Sequence, residues 1–411
     1  MSLKGNACIG QSGGPSIVIN ASVVGAVQAA EKAAEIDHFY GAANGISGVL
    51  NEKMFDLFRE DDDVLNAMRY TPSAALGTCR LKPKQPDLER AMEVFKAHNI
   101  RYFFYNGGND SQLTCHQISE LAKNSDWEMR VIGIPKTIDN DLVVTDNCPG
   151  FASAARYAAA AVQFAARDAM AFGGAEVVEV MGRHAGWLTG ATQVGRLNEG
   201  EAPHLVYLPE VKVDPDKFLA DCKAYYDKYG FLVVAVSEGF TFAESELKTT
   251  SDKVDEFGHA RLGGVAEALA EMIEGAIGAR CRNDRLGNLQ RCFAFCMSDV
   301  DNEQAYQAGY QAAQRAVAGE TDIMTTIERK SNSPYEWEIG TTSLMSVADQ
   351  TKVVPAEWIN EDQNGVTDEF IEYVKPLLGA CPSCVTMDVP HYPVFQKHFT
   401  EAKLAKYERS K

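Results

Sequence analysis

Short apolar runs rich in β-branched and aromatic residues alternate along the chain with longer stretches whose apolar positions recur at helical spacing. The short runs predict strands at 7–10, 101–105, 131–134, 177–180, 205–208 and 231–236. The longer ones predict helices near 18–35, 87–98, 111–123, 151–172, 214–229, 262–277 and 302–318. Strand followed by helix, repeated, is the pattern of a parallel α/β sheet with helices on both faces. Segment 151–172 is so rich in Ala that it reads as a helix packed closely on both sides. It is also the longest apolar stretch, yet Arg156, Arg167 and Asp168 break it short of the roughly 18 residues a membrane span needs. Beyond Glu328 the alternation fades. Residues 361–411 read as a helical appendage whose charged end, 401–411, is expected to fray.

Charge narrows the function classes. With 57 acidic and 39 basic residues, the formal net charge is −18. Such a surface excludes a nucleic-acid-binding face and a polybasic membrane face, both of which rest on clustered Lys and Arg. Small anionic ligands stay open, because a single cleft can be locally positive. At about 150 residues per domain, 411 residues predict two or three domains. Polar residues and Gly stand at the start in place of a signal-peptide core, and ten Cys are scattered through core-like segments as reduced thiols are. Both features predict a cytoplasmic protein. Cys381 and Cys384 form a CxxC with no second pair at ligand spacing, so a structural role is expected. P-loop and HExxH motifs are absent.

Ligands of an open parallel sheet gather at the C-terminal ends of its strands, and four predicted strand ends carry unusual residues. Gln11-Ser12-Gly13-Gly14-Pro15-Ser16 has paired glycines that let backbone N–H groups approach an anion, although a plain tight turn uses the same residues. Tyr105-Asn106-Gly107-Gly108-Asn109-Asp110-Ser111 adds an amide and a carboxylate suited to a phosphate-bound Mg2+, or to capping the next helix. Pro135-Lys136-Thr137-Ile138-Asp139-Asn140-Asp141 crowds together a cation, a hydroxyl and two carboxylates, the parts of a general base and a metal-facing group. In Met181-Gly182-Arg183-His184, Arg183 suits a phosphate or a sugar hydroxyl, and His184 reads as a core imidazole.

Taken in order, Ser12-Gly13-Gly14-Pro15, Gly107-Gly108-Asn109-Asp110-Ser111, the 135–141 motif and Met181-Gly182-Arg183 resemble the phosphofructokinase family, and most closely its pyrophosphate-dependent branch. Val236-Ser237-Glu238-Gly239 and Leu289-Gln290-Arg291 extend the resemblance, which runs from about 6 to 328. It implies two Rossmann-like three-layer αβα domains with a helical C-terminal appendage. Residues 1–150 with about 295–330 would hold the phosphoryl donor, 151–294 the sugar phosphate, and 331–411 would cover the core or a subunit contact.

The implied reaction is reversible, Mg2+-dependent phosphoryl transfer from pyrophosphate to the 1-hydroxyl of fructose 6-phosphate. Asp139 would be the base, with Lys136 and Asp110 as further catalytic residues. Gly14 and Arg80 would hold the diphosphate, and Asn109 and Asp141 the Mg2+. Thr137, Ile138, Met181, Gly182, Arg183 and Glu238 would line the sugar side, with Arg282, Asn288 and Arg291 at the 6-phosphate. Family members take part of that grip from a neighbouring subunit, which implies a homodimer or homotetramer with the active site near the interface.

Donor choice is expected to rest on Asp110 and Lys136. A carboxylate where the α-phosphate of ATP would lie repels the nucleotide, and Lys136 can stabilise charge on the leaving phosphate. Three positions depart from the family pattern: Asn109 replaces a metal-binding Asp, Asn288 a His or Tyr, and Gly174 an Arg. The competing readings are an ATP-dependent 6-phosphofructokinase or sedoheptulose 7-phosphate kinase, and a catalytically silent regulatory subunit. Asn109 is the best support for the last.

Overall fold

The computed structural model describes residues 3–243, 264–348, 350–380 and 397–409. Cys381, Cys384 and the start of the helix expected at 262–277 lie outside the described residues. Among those described, eleven strands build two sheets. β1 (Gly5–Gln11), β2 (Ile36–Ala42), β3 (Met54–Asp56), β4 (Ile100–Gly107) and β5 (Arg130–Pro135) open the larger sheet. β6 (Ala175–Val180), β7 (Leu205–Tyr207), β8 (Leu232–Ser237) and β9 (Cys281–Arg285) form the smaller one. The chain then returns, and β10 (Ile323–Asn332) and β11 (Tyr335–Ser343) complete the larger sheet.

The larger sheet runs β11-β10-β5-β4-β1-β2-β3, parallel except at its two edge strands, β11 and β3. In the smaller sheet the order is β7-β8-β6-β9, all parallel. The two parallel sheets match the α/β class expected from the alternating pattern. Every strand read from the sequence is present. β9 escaped because Cys-Arg-Asn-Asp-Arg is polar and half exposed, with no apolar alternation to see. β10 and β11 mix Thr, Glu and Trp on an exposed edge, so the larger sheet continues past residue 330 as far as Ser343.

Helix Phe151–Phe172 forms at the expected bounds and carries the chain from the larger sheet to the smaller. Its Ala152, Ala155, Ala158, Val162, Ala166 and Ala169 are buried in one cluster with Val178, Val180 and Trp187. Small residues there allow close approach, and a larger side chain would overpack by about 1–3 kcal/mol. Asp301 caps its N-terminus, accepting from Gly150 N (2.8 Å), Ser153 N (3.0 Å) and Ser153 Oγ (2.6 Å). Asp301 belongs to helix Asp299–Val317, the return path to the first sheet, so one buried carboxylate joins the outgoing and returning connections.

Among the described residues of 361–411, helical character is confined to Asp368–Val374 and the 3-10 turn Lys375–Leu378. Residues 397–409 have no helix and lie back over the larger sheet. The end expected to fray is pinned: Leu404 N donates to Glu52 Oε1 (2.9 Å) and Arg409 pairs with Asp87 (3.0 Å). Charge, read in the sequence as solvation, serves here as attachment.

Candidate active site

In the larger sheet the chain passes from β1 to β2 on one side and sets β4 on the other. The crevice above β1 and β4 is therefore the switch point where such sheets bind ligands, and both Gly-Gly turns open there. Buried amides build its rim. Gln11 Nε2 donates to Asn20 Oδ1 (2.9 Å) while its Oε1 accepts from Leu76 N (3.0 Å). Asn20 Nδ2 donates to Thr71 O (2.8 Å), and Gly13 N to Cys79 O (3.1 Å). These bonds hang the segment ending in Arg80 beside the first turn. Across the crevice, Gln112 Nε2 donates to Gly107 O (2.8 Å) and Ile134 O (3.3 Å), locking the ends of β4 and β5 together. Helix Asn109–Lys123 begins at Gly108 with no side-chain cap, which leaves first-turn N–H groups for an anion. Asp110 does not cap it; its carboxylate meets Lys82 Nζ at 2.9 Å.

The third motif closes the crevice. Lys136 N donates to Gly107 O (3.1 Å), and its Nζ crosses the crevice to Gly14 O (2.7 Å). Burial and the nearby Arg291 push the Lys136 ammonium down to about 8, against the opposing pull of Asp141 and Asp139. Asp139 N donates to Thr137 Oγ1 (3.1 Å). Burial, then Asp141 and Glu238, push the Asp139 carboxyl up to about 7 against the pull of Arg291 and Lys136. A carboxyl poised there is suited to taking a proton near neutral pH.

Asn109 Oδ1 and Asp141 Oδ1 are buried without a hydrogen-bond partner, in the segments that follow the paired strands β4 and β5. An unsatisfied buried oxygen costs about 1–3 kcal/mol, and two in adjacent turns fit a hard cation. An all-oxygen donor set suits Mg2+.

At the smaller sheet, β6, β8 and the 3-10 turn Gly287–Arg291 converge. Gln290, fully buried, accepts from Met181 N (3.1 Å) and donates to Gly287 O (3.0 Å). It is a site residue the sequence reading passed over; its one signal was a lone amide inside Leu289-Gln290-Arg291. Gly182 has φ +133° and a Cβ there would come 2.5 Å from Ala185 O, so glycine is required. Its N–H reaches Glu238 Oε1 at 3.4 Å. Burial raises the Glu238 carboxyl, opposed by that N–H and by Arg183. A cavity of about 270 Å³ is lined by Val180, Met181, Glu238, Asn288 and Gln290.

Some expected residues stand elsewhere. Arg291, placed with the 6-phosphate from sequence, lies against the donor turn: a Cβ on Gly14 would sit 3.0 Å from its Cζ. It also lies in the field of Asp139 and Glu238. Arg282 lies opposite Glu176 near the start of β9, pairs with Asp168 and stacks on Phe172, away from Met181 and Glu238 within this chain. The Ile138 side chain is core, 5% exposed, which leaves its backbone to face a ligand. His184 is exposed, not a core imidazole, because the tight turn from Gly182 to Ala185 carries it outward.

The Gly14 contact yields a prediction. In Gly14→Ala the methyl group displaces Arg291, and kcat/KM for the phosphoryl donor falls about 10- to 100-fold. Steady-state kinetics against each substrate in turn checks it; unchanged kinetics would contradict the contact.

Comparison with known proteins agrees with this geometry. The protein-family model described as Phosphofructokinase matches residues 6–316. A pyrophosphate–fructose 6-phosphate 1-phosphotransferase of Rhodospirillum rubrum is 41% identical over 384 residues, which cover 92% of this chain and 95% of that protein. Its namesake in Halomonas elongata is 38% identical over 414 residues, covering 98% and 99%. The crystal structure of the pyrophosphate-dependent phosphofructokinase from Nitrosospira multiformis superposes with a TM-score of 0.91 at 38% identity, over 98% of this chain and 100% of that one. Six motifs in order, gathered around one crevice and matched along most of the sequence, have one explanation: the chain belongs to the phosphofructokinase family.

Proposed function

We propose that the chain transfers a phosphoryl group from pyrophosphate to O1 of fructose 6-phosphate, giving fructose 1,6-bisphosphate and phosphate. The observation that carries this is Lys136, a buried cation bonded to the carbonyl of the diphosphate turn and in the field of the base Asp139. The relatives that share 38–41% of the sequence along nearly its full length bear the name of this reaction. Asp139 takes the proton of the 1-hydroxyl as that oxygen attacks phosphorus and phosphate leaves. Lys136 and Arg291 offset the charge that develops on the transferring group and the leaving phosphate. Asp110 is the residue assigned to exclude a nucleotide.

Asn109 and Asp141 are the residues that would hold Mg2+, which supplies charge neutralisation on the phosphate oxygens. The larger sheet serves the donor and the smaller the sugar phosphate. A homo-oligomer is supported by exposed large apolar side chains: Phe164 is 76% exposed, Phe172 71% and Leu289 53%, with Arg282 stacked on Phe172. Among the described residues no helix is long and apolar enough to cross a membrane, and eight cysteines are free. Free thiols support the cytoplasm as the compartment. The bond broken and the bond formed are close in energy, so the reaction runs in both directions.

A donor assay tests the reading. The purified chain is expected to release phosphate with fructose 6-phosphate and pyrophosphate, and not with ATP or polyphosphate; a preference for ATP overturns it. Activity of the chain alone separates it from a silent subunit.

The rate should also peak narrowly with pH. Asp139 works only when ionised, so with its carboxyl near 7 the rate falls below that pH. Lys136 works only when charged, so with its ammonium near 8 the rate falls above it. Raising Mg2+ moves the acidic limb to lower pH, because a cation beside Asp141 offsets the repulsion that raises Asp139. A flat profile across the range from about pH 5 to 9 contradicts both assignments.

A further inference from the structure

The tail's first segment has no task in the reaction so far, yet it reaches the loop that carries the base. Lys352 Nζ enters a cage of oxygens formed by Asp146 O (2.8 Å), Thr145 O (3.1 Å) and Asn140 Oδ1 (3.4 Å), and lies 5.3 Å from the Trp187 ring centre. Tyr373 grips the same loop. Its hydroxyl accepts from Asn140 Nδ2 (3.1 Å) and donates to Asp146 O (2.6 Å). Asn140 is fully buried at φ +54°, a conformation that needs outside support in a non-glycine residue. It stands between Asp139 and Asp141, so whatever fixes Asn140 fixes both carboxylates.

The backbone of this strap continues the connection to the sugar side. Lys352 N donates to Asp141 O (2.8 Å), and Lys352 O accepts from Trp187 Nε1 (3.0 Å). Two residues on, Val354 N donates to Glu210 Oε1 (2.9 Å), the oxygen that also accepts from Gly186 N (2.8 Å). Gly186 and Trp187 close the turn that begins at Met181 and Gly182.

We propose that Lys352 and Tyr373 are positioning residues: they hold the Asp139–Asp146 loop in reacting geometry and tie it to the sugar-binding turn. Neither touches substrate. The ammonium fills a carbonyl cage that would otherwise need a free cation, and the phenol fixes the Asn140 side chain. This inference rests on the proposed phosphoryl transfer, and adds to it the reason why the chain continues past the second sheet.

The test uses full-length variants. Lys352→Met keeps the packed stem and Tyr373→Phe keeps the ring. Each is expected to lower kcat, by about 30- to 100-fold and about tenfold respectively, since a small misplacement of reacting groups costs that much. KM for fructose 6-phosphate should stay within about threefold, because Arg183 and Glu238 follow other strands, β6 and β8. Lys352→Ala should regain turnover with added ammonium or methylammonium, which can enter the vacated cage. Leu377→Ala, a buried strap residue outside the grip, should lose stability without that kcat loss and without amine rescue. Parent-like kcat in both Lys352→Met and Tyr373→Phe overturns the proposal, and so does a Lys352→Ala defect that ignores amines and is matched by Leu377→Ala. A parent enzyme without pyrophosphate-dependent turnover would instead remove the functional reading itself.

Discussion

Asp139→Asn is expected to lower kcat by about 10²- to 10⁴-fold and to move KM for fructose 6-phosphate by less than about threefold. An amide has nearly the same shape, and the bond from residue 139 N to Thr137 Oγ1 is made by backbone, so the loop stays in place. What disappears is a group able to accept the hydroxyl proton. Stability should move the opposite way. Folding raises the Asp139 carboxyl to about 7 through burial and the Asp141 and Glu238 charges, so above that pH the folded state holds an ionised group it disfavours. The neutral amide removes this repulsion. Its gain is fully present above about 7, declines as pH falls and is absent below the unfolded value of about 4. Thermal unfolding of both proteins at pH 8 and pH 5, beside steady-state kinetics, reads both effects. A variant with substantial turnover, or one less stable than the parent at pH 8, would show that Asp139 is neither the base nor strained.

What could be read in advance follows from where the physics is local. Strands buried on both faces, such as β1, β4 and β8, are continuous apolar runs and announce themselves. β9 and the β10–β11 hairpin are sheet only because a neighbour supplies the ladder, and no local pattern marks that. The chemical turns were legible because glycine, cation and carboxylate at a strand end have few other uses. Their mutual arrangement was not. Arg291 meets Gly14 across 277 positions, and Lys352 meets Asn140 across 212. Gln11, Gln112 and Gln290 hold the rim through backbone atoms, a role any amide could have anywhere in a sequence. Charge misled in the tail, where the charged end 401–411 reads as fraying yet Leu404 binds Glu52 and Arg409 binds Asp87.

Lys136→Gly is expected to cost about 10²- to 10³-fold in kcat with pyrophosphate, the usual loss when one preorganised donor to developing charge is removed. Lys136 Nζ is held at 2.7 Å from Gly14 O, so little reorganisation is needed when the phosphoryl group moves. Its removal also takes away one of the two positive charges that lower Asp139, and the acidic limb of the pH profile should shift upward. In the proposed reaction Asp110 acts by exclusion. Its carboxylate is 43% exposed at the helix N-terminus and partly offset by Lys82 at 2.9 Å; in the proposed reaction its remaining negative charge repels a third phosphate. Asp110→Gly together with Lys136→Gly should therefore raise kcat/KM for ATP by at least about tenfold while pyrophosphate use collapses. Phosphate release and nucleoside diphosphate formation, measured on the same variants, separate the two donors. Full pyrophosphate activity in Lys136→Gly would sink the donor assignment, because the proposed reaction places this buried cation on the leaving phosphate.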